Sequence, residues 1–432
     1  MGSLFYILIA LAALATFFIL MILVPGNLNK LYIKYILLVY PLMAIDLMPS
    51  VLSTNIFSFT TIIFLLVFYK RARLSANDKK SIYRLFFIVL SVVVAAGLIL
   101  AESLTLTSVT YLMEYTSIFI FSRVLIDECL VDRKFVHEAV NCLKITLFVS
   151  LLFMCGQLMF GPSFTIAKSP NINVLSGMHI RYTSFFQDPQ KFGQFLSACS
   201  FLFLIKSSTE KKWDMINYVL LFLSLVSIFL TGGRGALAGW LLGILFLSFF
   251  GEAKFRLAVL LSIIVLGIVA YNYSTSFAIF QRGTDIVDSY NFRYAIWEDA
   301  FKIFYDNPFW GIGIGNYANY VSVHNPDQYW INDNVITFFD HPESGYLKLL
   351  TEFGVLGFIV ILLMIFTPLY KGVILYFKTH RSFHLLLAAS LTTWLVGFYT
   401  VYSLGDIRIL ILVATLLSLM IADYKLTTNE VL

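Results

Sequence analysis

Charged side chains are scarce in this sequence. Only 13% of its 432 residues are Asp, Glu, Lys or Arg, and 59% are hydrophobic. A soluble domain carries about a quarter charged residues, so a chain solvated along its whole length is excluded. Cysteine is sparse as well. Cys129, Cys142, Cys155 and Cys199 form no CxxC pair, which argues against a disulfide framework and a zinc site. Walker A, HExxH and GxSxG motifs are missing, so ATP hydrolysis and metalloprotease chemistry have no support. There is no internal repeat and no low-complexity tract. The net charge of +5 is small and sits in short loops, which argues against a nucleic-acid partner.

What recurs from end to end is apolar sequence of membrane-spanning length. It reads as about thirteen helices of roughly 17–25 residues. They lie near 4–24, 31–48, 55–69, 85–101, 109–125, 145–160, 192–206, 215–230, 236–250, 256–272, 345–370, 384–400 and 408–423. The first run has no basic leader and no small-x-small cleavage site, so it reads as a retained span. Basic or mixed loops at 70–84, 127–144, 206–214, 251–256 and 371–381 are expected on the cytoplasmic side. Alternation then puts 161–191 and 273–344 outside. The expected architecture is an all-α polytopic membrane protein of about 12–13 spans. Its N-terminal helices occupy 1–160, and a core with the long external loop occupies 161–430.

A loop as long as 273–344 is uncommon unless it is functional. Within it, "NFRYAIWEDAFKIFYDNPF" spaces Tyr294, Ile296, Trp297, Ala300, Phe301 and Phe304 as a helix lying on the membrane face. "GIGIGNY" follows as a glycine-rich turn, but no strand precedes it, so it is not a dinucleotide loop. Three arginines fall outside the expected cytoplasmic loops: Arg181, Arg234 and Arg293. An arginine near the bilayer is costly, and its planar fork suits phosphate. The plainer readings are snorkelling and structural ion pairs. Arg234 sits among Gly232, Gly233 and Gly235. Such glycines permit close approach to an anion or, equally, small-residue helix packing. In "HPESGYLKLLTEFGVLGF", His341 and Glu343 flank Pro342 where a helix is expected to begin. Both residue types serve as general bases near neutral pH, or as plain helix caps. Glu352, two turns further in, needs a partner, and an arginine is the candidate.

"RYTSFFQDPQKFG", "TGGRGALAGW", "FRYAIWEDAFKIFYDNPFWGIGIGNY" and "HPESGYLKLLTEFGVLGF" occur here in the order that resembles the O-antigen ligase and polymerase superfamily. The resemblance covers about 181–358. It implies a GT-C-type glycosyltransferase of the bacterial inner membrane that needs no metal or other cofactor. Its substrates would be undecaprenyl-diphosphate-linked glycans, donor and acceptor, on the outer face. A flippase and a chain-length regulator would be its partners in the membrane. It also implies that Arg234 and Arg293 hold the diphosphate; Arg181 is the third candidate for that role from its own position, and Gly233, Tyr346 and Glu352 are expected to support the site. Aligned on Tyr346 and Gly354, Glu343 stands where ligases of the family have a histidine, and His341 lies two residues earlier. That form is more similar to the Wzy-type polymerases than to the ligases. The alternatives are a ligase that moves glycan to lipid A-core, and a transporter or flippase, for which no inverted repeat is visible.

Overall fold

The computed structural model describes residues 2–23, 26–48, 52–68, 82–101, 105–166, 180–206, 211–250, 286–325, 329–332, 335–338 and 341–431, with isolated positions between 251 and 285. Fourteen α-helices dominate the described residues. They are α1 (Gly2–Leu23), α2 (Leu28–Leu38), α3 (Ile56–Ile63), α4 (Ile82–Leu100), α5 (Leu106–Val131), α6 (Lys134–Phe160), α7 (Pro189–Ser200), α8 (Lys211–Thr231), α9 (Arg234–Phe250), α10 (Ile286–Asp306), α11 (Tyr317–His324), α12 (Gly345–Thr379), α13 (Ser382–Thr400) and α14 (Ile407–Val431). Two short antiparallel hairpins complete the set, β1–β2 (Asp46–Met48, Leu52–Asn55) and β3–β4 (Tyr329–Asn332, Val335–Phe338). Five helical stretches are long and apolar enough to cross a membrane: α5, α6, α12, α13 and Ile407–Thr428 of α14. Five shorter apolar stretches join them, at Leu11–Leu23, Ile56–Phe68, Phe86–Leu100, Met215–Thr231 and Arg234–Phe250. The chain is an all-α polytopic membrane protein. In lipid the backbone must satisfy its own hydrogen bonds, which is why apolar sequence takes this form. Most of the expected span at 256–272 and most of the 70–84 loop lie outside the described residues.

Two expected boundaries shift. The run at 31–48 is not one span. The α2 helix stops at Leu38, a 3-10 turn covers Tyr40–Leu42, and β1 follows. Pro41 in that turn lacks the N–H that a continuing helix requires. Conversely, the charged segment at 127–144 is almost wholly helical, with only Asp132 and Arg133 between α5 and α6. Hydropathy reports where a helix leaves apolar surroundings, not where it ends. The charged ends are tied down by Lys30 on Asp132 at 2.6 Å and Lys34 on Glu138 at 2.7 Å.

One apolar core runs from Ala13 on α1 to Ala422 on α14. Around α13 the packing is close. A Cβ at Gly239 would meet the Thr393 carbonyl at 2.5 Å, and glycines at 235 and 243 likewise face Thr400 and Thr393. This stripe of small residues lets α9 lie directly on α13, as in other membrane helix pairs. α7 packs against the same pair of helices, and its Gln194 donates to the Gly397 carbonyl at 2.8 Å.

The described part of the segment between α9 and α12 is well ordered into elements. The expected amphipathic helix is present as α10, with Ile296, Ala300 and Ile303 buried and Tyr294 and Phe301 exposed. The glycine turn after it docks into a break in α12. At Gly354 the backbone is left-handed, with φ 61°. The carbonyls of Thr351 and Glu352 accept from the N–H groups of Ile312 at 3.0 Å and Gly313 at 3.1 Å. Val355 in turn donates to the Pro308 carbonyl at 2.8 Å. Gly311, at φ 70°, approaches so closely that a Cβ there would meet the Glu352 carbonyl at 2.5 Å. Only glycine tolerates both the torsion and the proximity. The two glycine motifs, far apart in sequence, are the two halves of one joint.

Candidate active site

Four chain segments meet beside the end of α13: the start of α9, the first half of α10, the 341–345 turn and the last turn of α13. Thr400 abuts Gly235, which fixes the neighbouring Arg234 at this end. Phe398 lies against Gly345, and its ring stands 5.2 Å from that of Tyr346, edge to face. The Tyr346 hydroxyl donates to the Leu395 carbonyl at 2.9 Å. Tyr346 therefore anchors the helix that follows the turn.

On that frame the ionisable groups converge. Nη2 of Arg293 donates to Oε2 of Glu343 at 3.3 Å, both side chains being about one quarter exposed, at 28% and 24%. Nε2 of His341 lies 3.7 Å from the other Glu343 oxygen. The charge of Arg293 also acts on Arg234, which is exposed. Two guanidinium groups thus stand together with one carboxylate and one imidazole. Like charges brought together are unfavourable, and an anionic group between them would relieve that repulsion. The helix begins at Gly345 after Ser344, where the expected span starts, so His341, Pro342 and Glu343 precede it and Pro342 is not in its first turn. Glu343 adopts φ 49°, a left-handed torsion that costs a non-glycine residue roughly 1–3 kcal/mol.

The remaining candidates are structural in their contacts. Arg181 is 1% exposed, and its Nε donates to the Thr231 carbonyl at 2.8 Å, beneath the turn that leads to Arg234. The Gly233 N–H is taken by the Thr231 hydroxyl at 3.2 Å. Glu352 pairs with a lysine, not an arginine: Lys348 Nζ lies 2.9 Å from Oε1. The same carboxylate accepts the Tyr317 N–H at 3.3 Å.

Sequence reasoning passed over Lys348, Tyr402 and Arg408. The Lys348 ammonium sits over the rings of Tyr317 and Tyr402 at 5.2 and 5.4 Å, and the Tyr402 ring lies 6.1 Å from that of His341. A buried polar layer therefore underlies the site. Arg408 grips Asp406 through Nε and Nη2 at 2.9 and 2.7 Å, and its guanidinium stacks 4.3 Å over Phe186. The signal for Lys348 was its i,i+4 spacing from Glu352 within an apolar helix.

These features define a polytopic membrane protein with a cationic, carboxylate-bearing site at one end of its helices. Residues 219–362 match the family model described as O-antigen ligase. The matched segment holds Arg234, Arg293, His341, Glu343, Lys348 and Glu352, and it supports the O-antigen ligase and polymerase superfamily, whose members are glycosyltransferase-like enzymes. No curated protein matches the chain.

Proposed function

We propose that this protein polymerises oligosaccharide repeat units carried on undecaprenyl diphosphate, at the outer face of the bacterial inner membrane, to build O-antigen or capsular polysaccharide. The observation that carries the reading is the Arg293–Glu343 contact of 3.3 Å with Arg234 alongside. A glycosyl diphosphate already has a good leaving group, so the chemistry needs a cationic receptor and a base. Arg234 and Arg293 receive the diphosphate of the growing chain by bidentate hydrogen bonds. That competes with the contact between Arg293 and Glu343, so binding of the donor releases the carboxylate. Glu343, or His341 beside it, then takes the proton from an acceptor hydroxyl. The acceptor oxygen forms a bond to the anomeric carbon, the bond from that carbon to the diphosphate breaks, and undecaprenyl diphosphate leaves with its charge on the arginines. No metal is required where guanidinium groups supply the positive charge. Arg181 supports the turn below Arg234, Gly233 and Tyr346 hold the local backbone, and Glu352 anchors the helix behind the base. A flippase supplies the lipid-linked unit, and a chain-length regulator is the expected companion.

The description of the matched family favours a second reading, a ligase that transfers finished glycan to a lipid acceptor. Gel analysis of surface glycan from a deletion strain separates the two. A single repeat unit on the anchor supports the polymerase; an anchor with no repeat unit supports the ligase. A normal ladder would overturn both.

A further inference from the structure

Beside the arginine pair stand two aromatic rings that packing alone does not call for. Trp297 lies one turn after Arg293 on α10, on the same face of the helix. Tyr399 is in the last turn of α13 and is 55% exposed; the next residue, Thr400, abuts the glycine that follows Arg234. The two rings come together across the helices at 5.9 Å and 61°. They therefore bridge the two elements that position the two guanidinium groups. A tyrosine at the end of a span is common in membrane proteins. A half-buried tryptophan from a second helix laid edge-on against it is not explained that way. The Trp297 indole N–H, moreover, is buried and has no acceptor among the described residues. Leaving such a donor unsatisfied is costly, so it calls for a partner.

We propose that Trp297 and Tyr399 form the subsite for the saccharide ring next to the diphosphate. This rests on the reading of Arg234 and Arg293 as the diphosphate receptor. A pyranose ring presents a C–H face that packs on an aromatic ring and a rim of hydroxyls that need partners. Two aromatic rings with an indole N–H and a phenolic hydroxyl match both parts. A polyprenyl chain matches only the rings and leaves the N–H and the hydroxyl unanswered. The sugar bonded to a diphosphate is also the group that must lie closest to the guanidinium groups that hold it.

The test uses the full-length protein in nanodiscs and two lipids: undecaprenyl diphosphate without sugar, and the same lipid carrying its native repeat unit. Trp297→Leu and Tyr399→Ala are expected to weaken binding of the glycosylated lipid about tenfold and to leave the sugar-free lipid unchanged. Trp297→Phe, which keeps an aromatic face, is expected to retain most of the affinity. Equal losses for both lipids would assign the rings to the prenyl chain and overturn the proposal, as would unchanged binding of the glycosylated lipid. Arg234→Ala and Arg293→Ala serve as the control for the underlying reading, since both lipids should be lost together. If those variants bind both lipids like the parent protein, the diphosphate receptor fails independently of the saccharide subsite. Tryptic resistance and elution profile are compared throughout, so that a folding defect is read as such.

Discussion

At the scale of single residues, the argument turns on Glu343. Its carboxylate faces Arg293 at 3.3 Å and His341 at 3.7 Å, in a torsion that ordinary residues avoid. Glu343→Gln retains the hydrogen bond to Arg293 but removes basicity. If Glu343 is the base, polymer synthesis in a purified assay falls by about 100-fold or more, since general-base assistance contributes roughly 10²–10⁴-fold. His341→Ala, measured beside it, is then expected to impair the rate less. The reverse order would transfer the role to His341, and parental rates from both would show that this turn only leads into α12. Arg293→Lys keeps the charge and loses the fork, so most activity should go with normal protein level; full-length polymer from that variant would remove the diphosphate receptor. These three residues, with Arg234, were legible in the sequence because ionisable groups stand out against apolar runs. Lys348, Tyr402 and Arg408 were less so, because their meaning lies in partners that only the fold supplies. Arg181 shows the converse: it has the same sequence prominence as Arg234, yet it is buried and bonded to a helix end.

At the scale of elements, the joint between the glycine turn and α12 and the ion pair beside it hold the site together. The sequence showed "GIGIG" and "TEFG" as separate features, and no periodicity signals that one fills the break in the other. Gly354→Ala meets both a left-handed torsion and the Phe309 carbonyl. It should cost about 2 kcal/mol or more, read as a lower midpoint of heat-induced aggregation in detergent. The Lys348–Glu352 pair makes a sharper test. Both side chains are at most 3% exposed, so Lys348→Met strands a carboxylate in the interior. A loss of roughly 3–5 kcal/mol is expected. Lys348→Met combined with Glu352→Leu removes both charges and should recover much of that stability. If the double variant is no more stable than the single one, the pair is not the source of the stabilisation. Helix boundaries follow the same lesson. The charged stretch around 127–144 stays helical because its charges find partners on α2, whereas the apolar stretch at 31–48 breaks at a proline turn.

At the scale of the whole molecule, the open matter is which end of the bundle faces out. The all-α polytopic class was legible from hydropathy alone, since few arrangements other than helices satisfy a backbone in lipid. Orientation depends instead on loop charge. The segment at 70–84 carries six basic residues, and 273–344 leads into the site. If positive charge marks the cytoplasmic side, the arginine pair opens outward, where the proposed lipid-linked substrates reside. Thiol labelling of intact cells checks this. Cys129, Cys142 and Cys199 are buried and Cys155 is exposed, so Cys155→Ser gives a quiet background in which single cysteines can be read. Asn325→Cys, just past α11, should then react with an impermeant maleimide from outside. Ser75→Cys should react only after the cells are opened. Because α11 is joined to α12 through the Tyr317 N–H on Glu352, the side on which position 325 labels is also the side on which Glu343 lies. Labelling of position 75 from outside, with 325 protected, would place the site in the cytoplasm, where a polymerase of exported repeat units would have no substrate. The proposed function would then fail even with every residue contact intact.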